Sequence, residues 1–127
     1  MFKKYAFGVL AIIIAAASSA FSVKMVKHPS VDMYVFEYDP GSPVDYTKTR
    51  VQNTSNSIWK YQGKNLTLCA DKNTKACRVA VIGTYVNSTT TPTALSGVTL
   101  TGMESSTNIA YVSAITAPLS NQFSNKP

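Results

Sequence analysis

The chain is poor in the residues that most often carry chemistry. Histidine occurs once, at His28, and cysteine twice, at Cys69 and Cys77. One histidine and two cysteines fall short of the four ligands of a structural zinc site. The many serines have no Gly-x-Ser-x-Gly elbow and no second histidine to serve one. His28 itself stands beside Pro29, toward the N-terminus, and reads as an exposed side chain. There is no glycine-rich phosphate loop. The spacing of the cysteines is not the C-x-x-C of redox enzymes. Charge is sparse, at 14% of residues, and the basic side chains are scattered. A nucleic-acid surface concentrates them in a stripe, so nucleic acid is not expected as a partner. No internal repeat and no heptad is visible. Catalytic, cofactor-binding and metal-binding residues are therefore assigned to none, and the chain reads as non-enzymatic.

What is present begins at the N-terminus. Met1, Phe2, Lys3, Lys4 and Tyr5 make a basic head, residues 6–17 (AFGVLAIIIAAA) are apolar, and residues 18–22 (SSAFS) are mostly small. These are the three parts of a secretory signal peptide over residues 1–22. The small-x-small rule permits cleavage after Ala20 or after Ser22. The rival is a retained anchor, since residues 5–23 carry no charge and about 18 apolar residues can span a bilayer. The strongly apolar part is about a dozen residues long, which favours cleavage. Cys69 is the first cysteine, so nothing near the cut could be lipidated. The expectation is export to the periplasm, the outer surface or the medium. Membrane contact comes only through the signal segment if it is retained.

Cleavage leaves one small domain of about 105 residues with a thin core. Removing Lys3 and Lys4 leaves ten basic and six acidic residues, a net charge of about +4. Abundant Ser, Thr and Asn suit a β-rich chain. The expected fold is all-β, a small antiparallel meander or open sandwich of about five to seven strands over residues 23–117, with residues 118–127 as a loose tail.

Two cysteines in an exported chain suggest a disulfide. An apolar run (LTLC), a polar stretch (ADKNTKA) and a second apolar run (CRVAV) read as a hairpin whose mouth Cys69 and Cys77 staple. Closing so short a loop stabilises by about 2.5 kcal/mol.

Residues 31–38 (VDMYVFEY) alternate, with Tyr34, Phe36 and Tyr38 on one face and Met33 and Val35 on the other. Asp39-Pro40-Gly41-Ser42-Pro43 breaks the strand, and residues 47–51 suggest a weak one. Residues 57–62 alternate, and Gly63-Lys64 fits a two-residue turn. The returning strand would set Trp59 opposite Leu68 and Tyr61 opposite Leu66. One face of that meander would collect Trp59, Tyr61, Leu66, Leu68, Ala80 and Ile82. The other would collect Ile58, Lys60, Thr67, Cys69, Cys77, Val79 and Val81. Residues 87–97 (NSTTTPTALSG) read as a loop. Residues 98–100 and Ile109–Ile115 read as strands.

The acids are Asp32, Glu37, Asp39, Asp45, Asp71 and Glu104. Glu37 and Asp39 share a strand face, but nothing supports a carboxylate pair there. Asp39 and Asp45 read as caps of the proline turn. Tyr34, Phe36, Tyr38, Trp59, Tyr61 and Tyr85 read as core rather than as a stacking platform. Asn53, Asn65 and Asn87 match the glycosylation pattern, and are taken as chance matches because the short leader looks bacterial.

The leader MFKKYAFGVLAIIIAAASSAFS, and more loosely residues 59–81, resemble small exported proteins of Bacteroidetes, among them the DUF6520 family. That family carries more cysteines and a shorter polar C-terminal part. It has no assigned activity, so the resemblance implies export and no site. The expected role is that of an exported binding or structural protein, with a protein or glycan of the cell envelope as partner. The alternatives are a small secreted hydrolase or enzyme inhibitor, and a membrane-anchored fibre subunit.

Overall fold

The computed structural model describes residues 31–70, 72–116 and 121–127. The signal segment of residues 1–22, both cut sites and His28 lie outside the described residues. The fold is all-β, with six strands in two antiparallel sheets. They are β1 (Tyr34–Tyr38), β2 (Trp59–Lys64), β3 (Lys75–Val81), β4 (Leu100–Ser106), β5 (Ile109–Ile115) and β6 (Gln122–Lys126). The first sheet runs β2-β1-β3-β6, and β4 pairs with β5 as a hairpin.

β1 ends where the sequence predicts but starts at Tyr34 rather than at residue 31, and it keeps the predicted faces. Tyr34, Phe36 and Tyr38 enter the main core, while Met33 and Val35 join a second cluster on the outer face. The β4–β5 hairpin packs across the inner face and contributes Leu100, Ala110, Val112 and Ile115 to the main core. The hairpin turns at Thr107 and Asn108, and Asn108 takes the left-handed φ of 59° that asparagine tolerates.

The expected hairpin at Gly63-Lys64 does not form. β2 runs through both residues and pairs with β1, placing Trp59 opposite Tyr38 and Tyr61 opposite Phe36. Leu68 and Leu66 are not their partners. The local turn signal gives way to pairing with a strand more than 20 residues earlier. In the sheet, β1 lies between β2 and β3, so the chain linking them has to cross β1. The link is residues 65–74, and its first part, residues 65–70, is a strap over the outer face rather than a strand. Leu66 packs above Gly63, whose φ is 148°, and a Cβ there would meet Leu66 Cδ1 at 3.2 Å.

The predicted faces of the meander are redistributed. Trp59, Tyr61, Val79 and Val81 belong to the main core, whereas Leu66, Leu68, Ala80 and Ile82 belong to the outer cluster. The cause is twofold. The strap is not in the sheet, and β3 carries a bulge between Ala76 and Arg78 that breaks the two-residue period at Cys77.

Residues 47–51 are not a strand. Lys48–Val51 form a single helical turn, α1, anchored by buried Val51. Trp59 Nε1 donates to Val51 O at 3.1 Å. So short a turn shows no periodicity, and tertiary anchoring overrides the strand preference of Thr and Val. The tail is also corrected: Gln122–Lys126 is β6, an edge strand of the main sheet, with Ser124 and Asn125 fully buried. Its polar residues conceal a strand because they are satisfied by specific bonds, not by apolar burial.

Candidate functional site

The outer face holds a charged end. Glu37 on β1 lies directly opposite Lys60 on β2 and Arg78 on β3. Ser124 on β6 is opposite Arg78, and Lys126, two residues on, shares its face. Lys126 is in turn opposite Lys75. Glu37, Tyr38, Asp39, Pro40, Lys60, Gln62 and Lys126 line an open groove of about 400 Å³ at this end.

The strap forms one boundary of the face, and beyond the bonds of Asn65 to Met33 and Asp32 it is tied down toward its Cys69 end. The disulfide joins Cys69 on the strap to Cys77 on β3, with Cα atoms 6.4 Å apart. Arg78 Nη1 donates to Thr67 O at 2.8 Å, and Cys69 N donates to Ser124 Oγ at 2.9 Å. The cystine therefore staples a crossing loop to the sheet, not the mouth of a hairpin.

The carboxylates of the groove have fixed partners. Glu37 Oε1 accepts from Arg78 Nε at 3.2 Å. Asp39 Oδ1 accepts from Gly41 N at 3.0 Å, and Asp45 Oδ1 from Thr47 N at 2.9 Å. Asp39 caps the proline turn as the sequence suggests, whereas the Asp45 side chain reaches the next segment at Thr47 and only its backbone N–H bonds the turn, at Pro40 O. The Thr47 N–H holds the Asp45 carboxyl below the ordinary carboxylate range. Tyr38 donates its hydroxyl proton to Asp45 O. Burial pushes this phenol up to about 12, with Arg50 opposing. Arg50 Nη2 approaches Asp39 O at 3.5 Å, and its Nε is buried with no hydrogen-bond partner. Lys60 forms no ion pair among the described residues.

Tyr34, Phe36, Tyr38 and Trp59 are all buried, and Tyr61 and Tyr85 are partly so. No open stacking platform exists on them. Asn65 Oδ1 accepts from Met33 N at 2.9 Å and its Nδ2 donates to Asp32. Asn87 bonds Thr93 and Ala94 through its side chain. Both amides thus serve as loop ties. Among the described residues no three His, Cys, Asp or Glu side chains gather as a metal site. No helix there is long and apolar enough to cross a membrane.

Sequence reasoning placed Glu37 and Lys60 on strands and Asp39 at the turn beside Glu37, but did not bring Lys60 to the two acids. It missed Lys126, because the strand carrying it has no apolar alternation to betray it. No known protein family, curated protein or solved structure matches this chain.

Proposed function

We propose that the chain is an exported, non-enzymatic protein of the cell envelope that binds a polar envelope component in the groove between β2 and β6. The observation that carries this reading is the state of the groove's polar groups. Glu37 and Asp39 are committed to Arg78 and Gly41, while Lys60 beside them forms no ion pair among the described residues. Groups fixed in this way suit holding a ligand better than cycling a proton. The disulfide supports an oxidising destination, in keeping with the leader and its resemblance to small exported Bacteroidetes proteins.

The outer flank of β2 has no strand partner among the described residues, and Lys60 and Gln62 sit on that strand. A protein ligand would reach the groove by adding a strand there.

The test is an amide-shift titration of the purified protein with soluble envelope glycan fragments and extended envelope peptides. Saturable shifts at Glu37, Lys60 and Gln62, weakened about tenfold by a Lys60→Ala/Gln62→Ala double variant of unchanged Tm, support the reading; tenfold corresponds to about 1.4 kcal/mol. Turnover of an ester, peptide or glycoside that Glu37→Gln abolishes would replace it with the hydrolase.

A further inference from the structure

We infer that Lys75 and Lys126 form an oxyanion subsite at the β6 side of the groove, taking a phosphate or sulfate group. The inference rests on the groove being a binding site.

The two lysines are direct cross-strand partners. Like charges in that position repel and destabilise the pair. Both are nonetheless half-buried, and both ammonium groups are drawn to one ring: each Nζ lies 5.6 Å from the centroid of Tyr46. That ring cannot swing away. It is 9% exposed and packs on Tyr38, with centroids 5.2 Å apart. A ring face accounts for holding a cation. It does not account for two cations that, among the described residues, form no ion pair.

The other end of the same sheet supplies the comparison. There Lys64 Nζ also lies 5.6 Å from a tyrosine centroid, that of Tyr34, and the arrangement is completed by Asp32 Oδ2 at 3.2 Å. At Tyr46 there are two lysines, and among the described residues no carboxylate pairs with either. The missing component is an anion. Two ammonium groups offer up to six N–H donors, which matches a tetrahedral oxyanion better than a single planar carboxylate. Lys126 also lines the groove that Lys60 borders, so an anionic group bound here would be continuous with a ligand lying in it.

The test follows lysine side-chain and amide NMR signals of the purified protein during titration with inorganic phosphate, inorganic sulfate, dextran sulfate and neutral dextran. Saturable shifts at Lys75 and Lys126 with the anions but not with neutral dextran are expected. Lys75→Gln and Lys126→Gln should each weaken binding about tenfold, and Lys64→Gln should leave it unchanged. Response to free phosphate or sulfate marks a small-ion site. Response to dextran sulfate alone, still lost in Lys75→Gln, marks a subsite for an anionic group on a polymer. Equal loss in Lys64→Gln, or absence of saturation with every anion, overturns the proposal. If envelope fragments still shift Lys60 and Gln62 while both lysines stay silent, the groove stands and only the oxyanion subsite falls.

Discussion

Asn125 pairs with Val112 through its side chain as though it were a piece of neighbouring strand. Its Oδ1 accepts from Val112 N and its Nδ2 donates to Val112 O, both at 2.9 Å. Asn125 belongs to β6 in one sheet and Val112 to β5 in the other. One amide therefore satisfies two backbone groups of the hairpin and ties the two sheets where both residues are fully buried.

Replacing Asn125 by Leu should therefore be severe. It leaves the Val112 N–H and C=O buried without those partners, at a cost of about 2–4 kcal/mol. Chemical denaturation measures this directly. A loss below about 0.5 kcal/mol would mean that the two sheets are not held by this contact.

Trp59 is the chain's single tryptophan and is fully buried. Its fluorescence should be blue-shifted and resistant to quenchers. Trp59→Ala should destabilise by about 3–5 kcal/mol. Trp59→Phe keeps most of the packing but abandons Val51 O, and should cost about 1–3 kcal/mol. A red-shifted, readily quenched tryptophan would contradict the core described above.

No free cysteine is present among the described residues, so native protein should take up no thiol reagent at Cys69 or Cys77. Cys69→Ala/Cys77→Ala should lower stability by about 2.5 kcal/mol on the loop-closure argument. Because the bond pins the strap, hydrogen exchange should accelerate first at residues 65–70 and only later in β1 and β3. Uniform acceleration across the sheet would place the staple elsewhere in the hierarchy of opening.

Tyr38 sets an alkaline limit. Its folded pKa, about 12, lies above its ordinary value of 10.0. Below pH 10 the phenol is neutral in both states and its contribution is complete. Between about pH 10 and 12 the unfolded chain releases the proton first, so stability falls as pH rises. Tyr38→Phe should flatten that decline in denaturation measured across the window. At the acid end the sign reverses. Asp45 is held below 3.8 by Thr47, so its contribution is present above that value and fades as pH falls through it. Asp45→Asn should reduce the acid slope, and an unchanged slope would remove this cap from the account.

Local sequence determined what local physics controls. Strict alternation at Tyr34–Tyr38 sorted three aromatics from Met33 and Val35 because a strand's side chains must alternate. The Ile109–Ile115 run, the Asp39 cap and the closeness of Cys69 to Cys77 were legible for similar reasons: each depends on residues a few positions apart. Tertiary structure decided the rest. Whether Gly63 turned the chain or passed straight through depended on β1, which offered a better partner than residues 65–70. The bulge at Cys77 reversed the faces of β3, and no period in the sequence announces a bulge. β6 is a strand because Cys69, Ile82 and Val112 find partners on Ser124, Asn121 and Asn125 in and beside it, contacts that span 13 to 55 residues. The groove follows the same rule. Glu37 and Lys60 were readable as strand residues, but the sheet order β2-β1-β3-β6 alone brings Lys75 and Lys126 to the same end, and sheet order is set by long-range pairing that one strand's sequence does not encode.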